Sequence, residues 1–153
     1  MDMEEQGLQE RSKQSLRLLL RLLACQTLIK KDVRLRLRSE FNITLPKFDV
    51  LAELEHAGEP ITMSQLSRKL MVTNGNITGL VDRLVKEGYV SRQVDNCDRR
   101  IQRISLTETG DRLFRRMAKQ HEKWITQIFG KMPMEEIVQL TELLQHARNQ
   151  IRK

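Results

Sequence analysis

Aromatic side chains are scarce in this chain: four Phe, one Trp and one Tyr among 153 residues, 4% of the total. Cysteine is scarcer still. Cys25 and Cys97 lie far apart and cannot build a disulfide framework, which fits a protein of the reducing cytoplasm. Seven Gly and three Pro are too few for a collagen-like or low-complexity chain. The three histidines, His56, His121 and His146, are scattered, and no Cys/His spacing matches a zinc site. Neither a Gly-rich phosphate loop nor a Ser nucleophile elbow is present, so an enzyme is not expected. Long apolar runs are also missing. The most apolar stretch, Leu16–Ile29, is broken by Arg17 and Arg21. It falls short of the roughly 20 residues a membrane span needs, and its charges would be costly there. The first ten residues are acidic and polar, unlike a secretory signal peptide. A cytoplasmic protein with no membrane partner is the expectation.

What the chain does have is charge and aliphatic side chains. Lys and Arg number 27 against 20 Asp and Glu, a net charge of +7, with 31% of residues charged and 39% hydrophobic. Enough Leu, Ile and Met is present for a buried core, and the length suits one domain. The positive balance points to a polyanion: nucleic acid, an anionic membrane surface or a phosphate-bearing ligand. A basic soluble protein with no such partner has the same total, so the total does not choose.

The order of elements narrows the choice. Residues 12–40 lack Gly and Pro and read as one long helix. Its first half carries Leu16, Leu18, Leu19, Leu20, Leu22 and Leu23 on nearly every face, so burial on more than one side is expected. Its second half is basic. A second helix opens at Pro46 and ends at Gly58, with Phe48, Leu51, Ala52 and Leu54 as its apolar face. A short helix runs from Ser64 to Leu70. Thr73 then caps a helix to about Glu87, with Ile77, Leu80 or Val81, and Leu84 inward and Asn76, Gly79 and Arg83 outward. Two extended runs, Tyr89–Val94 and Arg100–Leu106, flank the polar turn Asp95–Arg99 and read as a hairpin. Thr107 caps a long helix to about Phe129, and Pro133 opens a last one with an apolar stripe from Ile137 to Ile151. The fold class is mainly α: a winged helix-turn-helix, with the hairpin as wing. Residues 41–106 form the winged unit, and residues 1–40 and 107–153 supply dimerisation helices. The winged unit is too small to bury the terminal leucine stripes, and exposed apolar patches of that extent mark an interface. A two-fold homodimer is the commonest closed solution.

Several runs resemble the MarR family of bacterial transcriptional regulators. They are Leu45-Pro46-Lys47-Phe48-Asp49-Val50-Leu51, Ile61-Thr62-Met63-Ser64-Gln65-Leu66-Ser67, Val72–Leu84, the wing ending in Asp98-Arg99-Arg100, and Leu106-Thr107-Glu108-Thr109-Gly110. The resemblance implies an obligate homodimer on a pseudo-palindromic duplex operator, usually repressing nearby genes. It also implies release by a small molecule, often aromatic, bound between the dimerisation and DNA-binding regions. At finer grain the sequence is similar to the subgroup controlling hydroxycinnamate and related aromatic-acid catabolism, some of whose members respond to aromatic acyl-CoA thioesters.

The recognition segment supplies the DNA-binding candidates. The N-terminal end of such a helix meets base edges, where Asn bonds adenine in bidentate fashion, and its free N–H groups favour phosphate. Thr73, Asn74, Gly75 and Asn76 occupy that end, with Asn76 the foremost base reader. Gly75 and Gly79 each cost a helix ~1 kcal/mol relative to Ala, which a close backbone approach to DNA would justify. Ser64 and Thr78 are phosphate candidates. Arg83 either reaches phosphate or pairs with a carboxylate. Arg99 or Arg100 enters the minor groove in the family pattern, with Asp98 steadying the turn. Arg92 and Arg103 are weaker phosphate candidates. For the effector, Arg34, Arg36 and Arg38 suit thioester phosphates, unless the run is only a solvated helix face. Phe48, His121 and Trp124 either line the pocket or pack at the dimer seam. No cofactor or metal is expected. The alternatives are an activator or a redox-sensing regulator of the same fold. A methyltransferase accessory segment and a non-specific architectural protein stand further off. Cys25 sits among leucines, Cys97 lacks a thiolate-stabilising partner, and a tyrosine-rich oxidant pocket is not visible.

Overall fold

A computed structural model describes residues 2–72 and 74–152. Helix α1 runs from Met3 to Phe41, 39 residues and about 58 Å at the usual rise. It begins well before residue 12, carrying Gly7 inside the helix. Asn42 ends it in the left-handed conformation, with its N–H donating to the Arg38 and Leu37 carbonyls. Thr44 caps α2 (Leu45–Ala57), its hydroxyl accepting from the Lys47 N–H, and left-handed Gly58 closes that helix. Strand β1 is only Ile61–Thr62. Thr62 then caps α3 (Met63–Leu70) in a full capping box with Gln65.

Met71, with φ +56°, turns the chain from α3 towards α4 (Asn74–Lys86). The cap expected at Thr73 lies outside the described residues. Strands β2 (Val90–Val94) and β3 (Gln102–Leu106) pair antiparallel, and β1 adds to the far side of β3, giving the order β1-β3-β2. No pattern in the sequence marks β1, and the hairpin strands are shorter than expected. The Asp95 N–H donates to the Ile101 carbonyl and the Ile101 N–H to that of Asp98, drawing residues 95–101 into a closed turn. Thr107 caps α5 (Glu108–Ile128), and α6 runs from Met134 to Ile151.

The core lies where these elements converge. Val33 and Leu37 of α1 meet Phe48, Val50, Leu51 and Leu54 of α2, Leu66 of α3, and Ile77, Val81 and Leu84 of α4. Ile43, Ile61, Val90, Ile104, Phe114, Met117 and Trp124 complete it. Of the two candidates at the second inward position of α4, Val81 is buried and Leu80 is half-buried.

Within the single chain the leucine stripes of the terminal helices are left uncovered. Leu16, Leu18, Leu19, Leu20, Leu22 and Leu23 are all exposed in the single chain, and α6 has no buried residue. Only the last third of the 39-residue helix α1 meets the core.

Candidate nucleic-acid interface

The buried stripe Ile77, Val81 and Leu84 turns the other face of α4 outward. Gly75, Asn76, Thr78 and Arg83 are exposed on it. An open groove between α4 and the start of α2 is lined by Pro46, Val72, Gly75, Asn76, Gly79, Leu80 and Arg83. A Cβ at Gly75 or Gly79 would meet nothing within 4 Å, so neither glycine is required by packing inside this chain. Asn74 is the first residue of α4. Arg83 has no carboxylate partner among the described residues.

Ser64 sits exposed in the first turn of α3. A second groove joins it to the wing: Thr62, Met63 and Ser64 on one side, Arg100, Ile101 and Gln102 on the other. The wing turn is built by two aspartates. Asp95 accepts from the backbone N–H groups of Cys97 and Asp98, and from the Arg103 guanidinium at 3.3 Å. Asp98 accepts from both Nε and Nη2 of Arg100 at 3.1 Å, and from the Arg100 backbone N–H. These bonds, the side-chain ones foremost, hold the Asp98 carboxyl below its usual range. The two wing arginines therefore differ. Arg100 is aimed by Asp98 while its side chain stays 90% exposed, whereas Arg99 is exposed with no ion pair among the described residues. Arg103 of β3, the weaker candidate, is paired with Asp95 of the turn.

Arg92 is held within the protein. Its guanidinium pairs with Asp82 of α4, its side chain is only 27% exposed, and its Nε is buried without a hydrogen-bond partner among the described residues. Sequence reasoning missed Asp82 as its partner. It missed the Lys47–Glu87 ion pair as well, which joins the start of α2 to the end of α4.

The effector candidates fall into two groups. Arg34 and Arg38 are exposed and, with Lys30, follow one another at four-residue spacing along one face of α1. Arg36 lies on a different face, donating to Asp32 at 2.9 Å and to Gln127 of α5 at 3.0 Å. Phe48, His121 and Trp124 come together in an aromatic cluster with Phe41 and Phe114. The Phe48 and His121 rings are 5.0 Å apart, Phe48 and Phe114 are 5.7 Å apart, and Phe41 and Trp124 are 6.3 Å apart. Phe48 and Trp124 are 6% and 2% exposed, so in this state they fill space. Burial lowers the His121 pKa below its ordinary value. Beside the cluster, an open groove is lined by Glu40, Phe41, Arg116, Lys119 and Gln120. On α2, partial removal from water raises the Asp49 pKa; Lys30 opposes that shift and Glu53 adds to it. Cys25 and Cys97 are both exposed free thiols. Among the described residues no helix is long and apolar enough to cross a membrane, and no cluster of metal-ligating side chains occurs.

Sequence comparison points to the same helix-turn-helix. Residues 43–102, from the entry to α2 through the wing, match the MarR family model. The HTH-type transcriptional regulator PecS of Dickeya dadantii is 33% identical over 108 residues, which are 69% of this chain and 65% of PecS. An HTH-type regulator of Bacillus subtilis, YsmB, is 28% identical over 115 residues, 75% of this chain and 78% of that protein. The crystal structure of a MarR family transcriptional regulator from Silicibacter pomeroyi superimposes with a TM-score of 0.81 at 27% identity, covering 93% of this chain and 98% of that one. Residues 43–102 thus match the helix-turn-helix and wing of the MarR family, and the chain takes the fold of a solved MarR family transcriptional regulator.

Proposed function

We propose that the protein is a homodimeric repressor that binds a pseudo-palindromic duplex operator and is released by an aromatic acid or its CoA thioester. The observation that carries the DNA-binding part is the outward face of α4. It offers two glycines whose Cβ positions are open, an exposed Asn76 and an Arg83 with no carboxylate partner among the described residues, next to a wing that presents a pre-aimed Arg100. Asn76 reads base edges in the major groove. The first turn of α3 at Ser64 and the helix end at Gly75 take phosphates, and Arg100 enters the adjacent minor groove. The homodimer is supported by the exposed leucines of α1 and α6.

The effector part is supported by the ridge of Lys30, Arg34 and Arg38, which suits phosphates, and by the ring cluster at the junction of α1, α2 and α5. Arg36, engaged by Asp32 and Gln127, contributes through the α1–α5 link. Entry of an aromatic group requires the rings of Phe48, His121 and Trp124 to move apart, which would shift α2 and with it α4.

Selection from a random duplex pool with the full-length chain tests the first part. The expected result is one inverted-repeat sequence bound ~10³-fold more tightly than its scrambled counterpart. Similar affinity for both would leave a non-specific DNA-binding protein. Calorimetry with cinnamoyl-CoA, free cinnamate and CoA alone tests the second. Tight binding of the free acid with none of the thioester would exclude the phosphate role of Arg34 and Arg38.

A further inference from the structure

The pair formed by Asp82 and Arg92 joins the two elements that reach DNA. Asp82 lies on α4, one residue before Arg83. Arg92 lies at the centre of β2, opposite Ile104 in the antiparallel register. Residues opposite one another in such a ladder share a face, and Ile104 is fully buried. Arg92 therefore points to the core side of the sheet, under α4, and away from the outer face of the wing. The geometry is an unfavourable place for a lone cation. The Arg92 side chain is 27% exposed, and its buried Nε has no acceptor among the described residues. A buried donor left unmade works against folding, so the retained cation calls for a role that an aliphatic residue would not fill.

We infer that Asp82 and Arg92 are a positioning pair that fixes the wing relative to the recognition helix, so that both meet their grooves as one rigid unit. Beyond the connection at Tyr89, whose N–H donates to the Leu84 carbonyl, the hairpin meets α4 through apolar packing of Val90, which resists separation but allows sliding. A half-buried, directional ion pair removes that freedom. The distance from Asn76 to Arg100 then becomes a fixed feature of the protein. The spacing between the major-groove bases and the narrow minor groove of the operator becomes a condition for binding. Operator discrimination thus depends on two side chains that do not themselves contact DNA.

The inference rests on the proposed DNA-reading roles of α4 and the wing, and it makes an unusual prediction of sign. If Arg92 contacts phosphate, Asp82→Asn frees the arginine and removes a negative charge, and all DNA should bind more tightly. If the pair is a tether, Asp82→Asn weakens operator binding although the protein becomes more positive. The experiment measures affinities of full-length wild type, D82N, R92Q and D82N/R92Q for the selected operator and its scrambled duplex across a salt series. Each variant is first checked for a native thermal transition.

Expected is a loss of about tenfold on the operator for each single variant, with little change on scrambled DNA, and a double variant no worse than either single. The double variant strands no cation, so it remains informative should D82N fold poorly. In that background Arg100→Ala should cost less than it does in wild type, because a loosened wing no longer delivers the arginine reliably. Tighter binding by D82N, additive losses in the double variant, or an undiminished Arg100→Ala penalty would each overturn the tether. A uniform loss in R92Q with the salt slope reduced by about one would return Arg92 to the phosphate contacts. A wild-type protein that selects no sequence overturns the DNA-reading roles themselves, a result distinct from any of these.

Discussion

Two glycines on α4 and one on α5 occupy opposite situations, and their substitutions should move in opposite directions. A Cβ at Gly79 meets open space, so Gly79→Ala should stabilise the helix by ~1 kcal/mol, raising the melting temperature by a few degrees. The same methyl group would stand where the helix backbone approaches DNA, so operator affinity should fall as stability rises. Gain of both would remove Gly79 from the DNA face. At Gly110 a Cβ would lie 2.0 Å from the Tyr89 carbonyl oxygen, at the point where Thr107 accepts from the Gly110 N–H and donates to the Gly88 carbonyl. Gly110→Ala should destabilise by about 3 kcal/mol, because backbone must shift to admit it. Thermal unfolding measures both. His121 gives a third residue-scale outcome. Burial lowers its pKa in the folded protein, so the unfolded chain binds more protons just below the ordinary histidine value. Stability should therefore drop as pH falls below about 6.5 and stop dropping once the folded-state histidine is itself protonated. His121→Leu should flatten that part of the curve. An unchanged profile would mean that His121 is not the group responsible.

Elements were legible wherever their limits are set by local chemistry. Gly58 and Thr107 bound their helices through a left-handed backbone or hydrogen bonds within a few residues of themselves. The polar turn after Val94 marks the hairpin for the same reason. Elements whose existence depends on distant partners were not legible. Strand β1 has two residues, too few to show alternation, and exists because Ile61 and Thr62 pair with Ile104 and Arg103 some forty positions away. The early start of α1 was hidden by Gly7, which local propensity counts against a helix. The candidate site divides in the same way. Outward placement of Asn76, Gly79 and Arg83 follows from helical period alone, whereas the Asp82–Arg92 and Lys47–Glu87 pairs join elements whose relative placement no periodicity records. The capping box at Thr62 and Gln65 shows how a local device serves the site. It fixes the first turn of α3, where Ser64 stands. Thr62→Ala should cost ~1 kcal/mol in stability. It should also weaken DNA binding more than a substitution of equal cost in α6, as titration against the selected operator would show. Equal losses would separate the cap from the DNA surface.

At the scale of the whole molecule, charge and apolar surface have different partners. The winged region closes its core with the last third of α1 and with α5, while the leucines of the first part of α1 and of α6 remain uncovered. A second copy that covers them would also set two recognition helices at a fixed spacing, so dimerisation and operator binding should be inseparable. Leu19→Gln with Leu23→Gln tests this without altering net charge; both side chains are close to half exposed in the single chain. Sedimentation should show the variant shifted from dimer to monomer, and affinity for the full inverted repeat should fall steeply. The salt dependence separates lost valency from a damaged DNA surface. Each neutralised phosphate contributes about −0.9 to the slope of log affinity against log salt, so a monomer on a half-site should show roughly half the wild-type slope with its local contacts intact. A dimeric variant with full affinity would show that these leucines are not the seam. A monomer with an undiminished slope would show that one winged unit makes all the phosphate contacts, and the basic charge of the second copy would then need another partner.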